Sequence, residues 1–322
     1  MTEQCASRLV VISPVRDEAE FADVTLRTMA AQTRQPDLWV IVDDGSTDRT
    51  PEILREWSAR LPYLRVVTRD RKTPRAVGPG VVRAFYAGLE TVDLADFDYL
   101  CKLDLDLELP PRYFEMTIQR MDAEPRIGTC SGKAYFRDAT GDLVSEQIGD
   151  EMSLGMIKLY RRQCFEQIGG FVREVMWDGI DCHRCRMLGW IACSWDDPEL
   201  RFVHLRPMGS SQVSIWTGRQ RHGFGQWFMG TGLLYMTASA LYRMTRPPLI
   251  VGGLGMWWGY VKSMLAGRPR LEDRAFRVFL RRCQWAMLLR GKRRAIGALD
   301  DQGAATWDPE RPSPWAAETS AE

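Results

Sequence analysis

The chain has 322 residues, 45% of them apolar, and a formal net charge of +1. This composition supports a substantial hydrophobic core and excludes a polytopic membrane protein, and the length allows one large domain with an appendage. The charge is distributed unevenly, because residues 201–300 contain 17 Lys and Arg but only 3 Asp and Glu. We expect this basic part to contact an anionic surface, which can be a nucleic acid or a membrane.

Short apolar runs alternate with helical patterns through the first hundred residues. Strands are predicted within 8–15, 38–48, 64–70 and 96–109, and helices within 17–32, 50–61 and 81–92. This alternation favours a parallel, doubly wound sheet, whose ligands bind beyond the carboxyl ends of the strands. The loops at 14–18, 43–48 and 104–108 should therefore meet at one edge of the sheet.

The segment KLDLDLEL at 102–109 alternates apolar and charged residues. Read as one strand, it places Asp104, Asp106 and Glu108 on a single face. Two carboxylates one residue apart suit Mg²⁺ or Mn²⁺, with open positions for phosphate oxygens. The alternative is a solvated edge strand with ordinary surface acids, since a DxD pattern often occurs by chance.

The second half of the chain changes in character. Residues 120–215 mix short strands and helices, with helical spacing at 178–190 and a last strand at 199–207. The uncharged runs 226–242 and 249–261 are shorter than the roughly 20 residues that span a bilayer. Residues 274–294 alternate apolar and basic residues at helical spacing, a pattern typical of a helix lying in a membrane interface.

The cysteines are scattered singly, apart from the Cys182 and Cys185 pair. A single CxxC is a weak indication of zinc, because such sites usually need a second pair. The first residues lack the basic start and long apolar run of a signal peptide. We therefore expect free thiols and a cytoplasmic location.

Three of these segments together resemble the family 2 glycosyltransferases. They are SPVRDEAEF, VDDGSTD and KLDLDLELPP, and the resemblance covers roughly residues 8–210. It implies a GT-A fold, which is α/β and Rossmann-like, with a mostly parallel central sheet and flanking helices. It also implies an inverting, metal-dependent transfer of a hexose or related sugar from a nucleotide-sugar donor, a UDP-sugar by default.

The resemblance also assigns roles on the donor side. It places Asp43 on the base or ribose of the nucleotide, in a pocket lined by Pro14, Arg16 and Glu18. Asp104 would face the donor sugar or ribose. Asp106 would bind Mg²⁺ or Mn²⁺ that bridges the diphosphate, with Glu108 as a neighbour of this site. The segment VGPG at 77–80 lies where the family carries a glycine-containing nucleotide loop.

On the acceptor side, the family commonly reads Glu-Asp, then Arg, then Gly-Trp. Aligning Gly189–Trp190 with that pattern makes Asp178 the catalytic base, with Asp181 as the alternative, and puts Trp177 where Glu is expected. His204 would be a further metal ligand or a diphosphate contact. Arg219 and Arg221 lie near the place where some membrane-bound members carry a basic motif, although the spacing differs, and the resemblance would make them diphosphate contacts.

The predicted organisation has three parts. Residues 1–215 form the GT-A catalytic domain, 216–300 a helical, basic and apolar membrane-associating region, and 301–322 a disordered tail. We expect peripheral or monotopic attachment to the inner face of the cell membrane, no nucleic acid partner, and a lipid-linked or other saccharide acceptor in cell-surface polysaccharide biosynthesis. The competing interpretation makes the two uncharged runs core helices of a homodimer.

Two other functional classes remain open from the sequence. A nucleotidyltransferase shares nucleotide-binding α/β architecture, but it would need a glycine-rich, lysine-bearing loop near the first strand, and SPVRDEAEF is not such a loop. A non-catalytic membrane-bound scaffold of the same fold is the second class. The presence of Asp43, Asp106, Asp178 and His204 together favours an enzyme over a scaffold.

Overall fold

The computed structural model describes residues 7–70, 78–206, 214–246 and 248–315. The strands are β1 (Leu9–Val15), β2 (Leu38–Asp43), β3 (Leu64–Thr68), β4 (Tyr99–Leu103), β5 (Leu107–Glu108), β6 (Ile127–Ser131), β7 (Ala134–Arg137), β8 (Leu143–Ser145), β9 (Ile157–Arg161), β10 (Ile191–Ser194) and β11 (Phe202–His204). The helices are α1 (Ala22–Ala30), α2 (Thr50–Ser58), α3 (Pro79–Leu89), α4 (Tyr113–Ala123), α5 (Arg162–Gln167), α6 (Trp177–Met187), α7 (Ile215–Met229), α8 (Leu233–Met244), α9 (Val251–Leu265), α10 (Arg274–Arg290) and α11 (Lys292–Ala304).

The central sheet has the strand order β10–β6–β9–β4–β1–β2–β3 within the described residues. Its strands are parallel, except that β9 runs antiparallel to β4 and β6. Every residue of β1 is buried, as expected of a strand covered by helices on both faces. This is the predicted mixed α/β architecture, and it brings the ends of β1, β2 and β4 to one edge.

A smaller sheet lies beside this edge, with the order β5–β11–β7–β8. Its β5 and β11 run antiparallel and pair Leu107 with His204 and Glu108 with Val203. The sheet therefore joins the acidic segment to the strand that carries the predicted histidine. The two are nearly one hundred residues apart in the chain.

The acidic segment is not the single strand that the alternation predicts. β4 ends at Leu103, the chain bends through Asp104–Asp106, and β5 belongs to the smaller sheet. The apolar residues at 103, 105, 107 and 109 are nonetheless buried. Buried and partly exposed residues alternate from 103 to 109 because the bend packs its apolar side chains on the same core as β4 and β5. The backbone meanwhile passes from the central sheet to the smaller one.

The C-terminal helices pack through glycines. Ideal Cβ atoms at Gly223 of α7 and Gly259 of α9 would lie 2.1 Å and 2.2 Å from backbone oxygens of the other helix, so α7 and α9 touch along their backbones. The predicted run 226–242 is divided by Gly230, which has a φ of 92° between α7 and α8. Within the described residues, no helix is both long enough and apolar enough to cross a membrane.

The polar end of the chain differs from the predicted disordered tail as far as residue 315. α11 extends to Ala304, and Trp315 is buried. The Trp315 indole Nε1 donates a 2.7 Å hydrogen bond to Asp273, and the Gln167 amide donates to the carbonyl oxygens of Asp308 and Pro309. The two tryptophans at 307 and 315 supply the apolar contacts that a polar composition conceals. Residues 316–322 lie outside the described residues.

Candidate active site

The predicted acids sit where the two sheets meet. Asp106 lies in the bend after β4, and its carboxylate is 3.6 Å from Nε2 of His204 at the end of β11. The backbone carbonyl of Asp106 accepts a 2.8 Å hydrogen bond from the amide of Leu205. Because this bond extends the β5–β11 pairing, the backbone itself holds Asp106 beside His204.

His204 is held from its other side by Glu146. Nδ1 of His204 is 2.9 Å from Oε1 of Glu146, whose side chain is 5% exposed. Burial opposes protonation of the imidazole, but the neighbouring carboxylates of Asp106 and Glu146 outweigh it and raise the pKa of His204 to about 9. The sequence gives no signal for Glu146, which is 58 residues from His204 and lies outside the motifs that resemble the family.

Arg206 is a second residue that the sequence reading missed. Its guanidinium bonds to Glu18 and lies 3.9 Å from the carboxylate of Asp106. Burial would raise the pKa of Asp106, but the neighbouring imidazole of His204 and the charge of Arg206 hold that pKa below its usual value. In the sequence, Arg206 is marked by its position two residues after His204 at the end of the predicted last strand.

The donor set fits a divalent cation with oxygen and nitrogen ligands. Oδ1 of Asp106 is buried and has no hydrogen-bond partner among the described residues, and such an atom is costly to leave unpaired. The part of the chain that the structure describes has no group of three or more His, Cys, Asp and Glu able to hold a metal ion by itself. Asp106 and His204 would thus share the ion with diphosphate oxygens, as small hard cations commonly require.

The predicted nucleotide pocket is built from the ends of β1 and β2. Pro14 pairs with Val42 in the parallel register. Oδ1 of Asp43 accepts a 2.9 Å hydrogen bond from the amide of Ser46, so Asp43 also shapes the loop it begins. The hydroxyl of Ser46 accepts from the amide of Asp17 at 2.9 Å, which ties the two loops together. Arg16 lies 3.7 Å from Asp17.

These loops connect to the metal-side carboxylate of Asp106 through Arg206. Glu18 follows β1, and its carboxylate bonds to Arg206, which also faces Asp106. The structure therefore brings the Asp43 loop, the Asp106 bend and the His204 strand into one connected group. The predicted loop at 77–80 begins outside the described residues, and Gly78 lies against Val175.

Asp178 lies in the first turn of α6 and is partly exposed. The backbone carbonyl of Asp178 accepts a 2.8 Å hydrogen bond from Nζ of Lys158. An ideal Cβ at Gly155 would be 2.7 Å from Oδ2 of Asp178, so the carboxylate lies directly on the backbone of residue 155. Its helix and its exposure suit the predicted role of a base that receives a substrate proton.

The alternative base, Asp181, occupies the core. It is 1% exposed, both of its oxygens lie within 2.7 Å of Nζ of Lys158, and it also accepts from the hydroxyl of Tyr160. Burial opposes the charge on Lys158, but Asp181 outweighs it and raises the pKa of Lys158. A carboxylate engaged in this way is not placed to take a proton from a substrate, so the structure favours Asp178 over Asp181.

The predicted diphosphate contacts lie in α7. Arg219 packs against Gly252 and Gly255 of α9, and the described residues show no contact between Arg219 and the acids. Arg221 lies two residues further along the helix. Burial lowers the pKa of both guanidinium groups. A role for either arginine on the diphosphate stays a prediction.

Comparison with known families identifies a match that covers about half of the chain. The model of the family described as Glycosyl transferase family 2 matches residues 10–176, slightly more than half of the chain. The matched segment contains Asp43, Asp104 and Asp106, and it ends two residues before Asp178. No curated protein sequence matches the chain.

Solved structures with a similar fold are glycosyltransferases. The mannosyltransferase PcManGT from Pyrobaculum calidifontis, in complex with GDP-Man and Mn²⁺, has 19% identity, coverage of 93% of this chain and 86% of that chain, and a TM-score of 0.50. S. aureus TarS 1-349 with UDP-GlcNAc has 14% identity, coverage of 93% and 88%, and a TM-score of 0.50. GalNAc-T7 with UDP, GalNAc and Mn²⁺ has 13% identity, coverage of 86% and 58%, and a TM-score of 0.56. At these identities the likeness shows the fold, which is GT-A.

Proposed function

The chain belongs to glycosyl transferase family 2, and from that premise we propose that it is an inverting glycosyltransferase moving a sugar from a nucleotide-sugar donor to a hydroxyl group. The observation that carries the proposal is the meeting of Asp106, His204 and the loops that begin at Pro14 and Asp43 at one edge of the sheet. Ligands of parallel α/β sheets bind at that edge.

The proposed reaction is a single displacement. Asp178 accepts the proton of the acceptor hydroxyl while the hydroxyl oxygen bonds to the anomeric carbon. The bond from that carbon to the diphosphate oxygen breaks on the opposite face, so the anomeric centre inverts and a nucleoside diphosphate leaves. When bound at Asp106 and His204, Mg²⁺ or Mn²⁺ supplies positive charge that stabilises the leaving diphosphate.

The donor identity is part of the proposal. PcManGT is described with GDP-Man, and TarS and GalNAc-T7 with uridine nucleotides, so both bases belong in the test. We propose a UDP-sugar as the first candidate. The experiment measures nucleoside diphosphate release from a panel of UDP- and GDP-sugars with Mn²⁺. Release of pyrophosphate instead would indicate nucleotidyl transfer, and no turnover with any donor would indicate a scaffold.

We propose an acceptor presented at the inner face of the cell membrane, such as a lipid-linked saccharide of cell-surface polysaccharide synthesis. Residues 214–299 contain 15 Lys and Arg and two acids, Glu272 and Asp273. Exposed apolar side chains lie in the same region, namely Ile215, Trp216, Leu233, Leu234, Leu241, Tyr242, Leu249, Ile250, Val251, Leu254, Trp258, Leu265, Val278, Trp285, Leu288 and Leu289.

The outer face of α10 supports this membrane proposal best. Arg274, Val278, Arg281, Trp285 and Leu289 are all exposed and recur at helical spacing. Cationic and apolar groups on the same exposed face suit an anionic interface, in which arginines meet phosphates and Trp and Leu enter the headgroup region. The cytoplasmic, peripherally or monotopically attached location is proposed on the same grounds.

Co-sedimentation with vesicles tests the membrane proposal. We expect binding to mixed phosphatidylglycerol and phosphatidylcholine vesicles, weaker binding at high salt, and little binding to phosphatidylcholine alone. Trp285→Glu with Leu289→Glu should reduce binding, whereas Leu143→Glu, at an exposed apolar position in β8, should not. Equal recovery of all proteins in the soluble fraction, together with a dimer by size measurement, would instead favour the homodimer interpretation.

A further inference from the structure

Two buried lysines are direct neighbours on adjacent strands of the central sheet. Lys102 of β4 and Lys158 of β9 are partners in the antiparallel register, so their side chains lie on the same face. Lys102 is 2% exposed and Lys158 is fully buried. Because a buried ammonium group is costly unless it is paired, its partners identify what each lysine holds in place.

The two lysines hold opposite halves of the candidate site. Nζ of Lys158 bonds to Asp181 and to the backbone carbonyl of Asp178, which fixes the first turn of α6. Nζ of Lys102 lies 2.5 Å from Oδ1 of Asp104 and 2.7 Å from the carbonyl oxygen of Gly155. Lys102 thus joins the donor-side acid to the backbone on which the base lies.

Trp177 fills the space between the two ammonium groups. Its ring centroid is 5.5 Å from Nζ of Lys102 and 5.6 Å from Nζ of Lys158, and it packs 4.4 Å from the ring of Phe171. Both distances are within the range of attraction between a cation and an aromatic face. Where the family pattern has Glu, this Trp contacts both lysines and adds no carboxylate to those of Asp104 and Asp181.

Gly155 has no side chain at a point where one would displace the base. An ideal Cβ there would lie 2.7 Å from Oδ2, 3.1 Å from Cγ and 3.1 Å from Cβ of Asp178. Since all three nearest atoms belong to that side chain, an added methyl group would move the carboxylate and leave the surrounding backbone in place.

We infer that Gly155 and Lys102 are positioning residues for the predicted base, and that Lys102 couples the placement of Asp178 to that of Asp104. The inference rests on the proposed function and deepens it. In this inference, two features set the distance between the acceptor-side base and the donor-side acid. They are the buried ammonium group of Lys102 and the absence of a side chain at Gly155.

Gly155→Ala tests the first half of the inference. We expect kcat to fall by at least about tenfold, while nucleoside diphosphate affinity with Mn²⁺ stays within about twofold, because the donor-side residues are untouched. The matched control is Gly297→Ala in α11, where nothing lies within 4 Å of the added methyl group. Both variants should unfold at the temperature of the unmodified protein.

A double-mutant cycle distinguishes action through the base from a general structural effect. In the Asp178→Asn background, Gly155→Ala should lower the residual rate by less than about twofold. If the rate of the double variant instead falls by the product of the two single-variant decreases, Gly155 acts independently of Asp178 and its assignment is overturned.

Lys102→Met tests the coupling. Because Asp104 is 33% exposed, its carboxylate can take water when the ammonium group is lost, so folding should survive. We expect a higher KM for the donor and a lower kcat together, in contrast to Gly155→Ala. If the unmodified protein releases nucleoside diphosphate and both variants match it, the inference fails while the proposed function stands. If the unmodified protein turns over no donor, both fail together.

Discussion

Glu146 and His204 share a hydrogen bond of 2.9 Å although 58 residues separate them in the chain. The bond engages Nδ1 and directs Nε2 toward Asp106, the position a metal-binding histidine needs. Glu146 lies just after β8, and its amide bonds to the carbonyl of Ala134 at the start of β7. The smaller sheet therefore places both the histidine and the residue that orients it.

Glu146→Gln should weaken Mn²⁺-dependent nucleotide binding by about tenfold, because an amide orients the imidazole less strongly than a carboxylate. Asp106→Ala should abolish the metal-dependent part of the affinity altogether. Isothermal titration of a nucleoside diphosphate with and without Mn²⁺ measures both changes. Glu166→Gln is the matched control, since Glu166 pairs at the surface with Arg162. Unchanged affinity in Asp106→Ala would remove the metal assignment.

Asp178→Asn and Asp181→Asn should separate chemistry from stability. Asp178→Asn should lower turnover about 100-fold or more through loss of the base, with donor binding and unfolding temperature retained. Asp181→Asn should cost about 3 kcal/mol of stability, because it leaves the ammonium group of Lys158 buried without a charge partner. Steady-state rates and urea unfolding of both variants supply the test, and wild-type turnover in Asp178→Asn would exclude it as the base.

Because His183 is buried, we expect the folded protein to lose stability in acid. Burial, together with the charges of Arg186 and Lys292, lowers the pKa of His183 to about 3 in the folded state, against about 6.5 when unfolded. Between these values His183 binds more protons in the unfolded chain than in the folded one, so the stability that the neutral, buried His183 contributes is fully present above about pH 6.5. It then falls by at most about 1.4 kcal/mol per pH unit as the pH drops toward 3.

Urea unfolding of the protein and of His183→Gln at pH 7, 6 and 5 checks this expectation. The glutamine variant cannot be protonated, so its stability should fall less steeply over that interval, whatever its value at pH 7. Parallel curves for the two proteins would show that His183 is not responsible.

Trp315→Ala should reveal how much the C-terminal segment contributes to stability. Cβ of Trp315 lies against Gly169, the ring centroid is 4.4 Å from the guanidinium carbon of Arg184, and the indole Nε1 donates a hydrogen bond to Asp273. Removing a buried tryptophan typically costs about 3 kcal/mol, so the unfolding temperature should fall by several degrees. Trp285→Ala is the matched control, because that tryptophan is exposed and its removal should change little.

The sequence predicted the sheet and the donor-side acids because both depend on local patterns. Apolar runs identify buried strands, and the residues of VDDGSTD themselves favour the turn that follows β2. Other features depend on contacts that local patterns do not contain. Lys102 and Lys158 read as ordinary charges within strands, and their pairing appears only when β4 and β9 align. The tail read as disordered because two tryptophans at 307 and 315 weigh little in an average of mostly polar residues.

The pairing of Leu107 with His204 limits how the chain length can vary. β5 and β11 share a ladder of two residue pairs, and a shift of one residue reverses which face of a strand a side chain occupies. A one-residue insertion between Asp106 and Leu107 would therefore separate the carboxylate from the imidazole while leaving every residue identity intact. The turn at 138–142 between β7 and β8 is exposed and should accept the same insertion. Among related sequences, length should thus vary at that turn and remain constant between the aspartate and the strand that follows it.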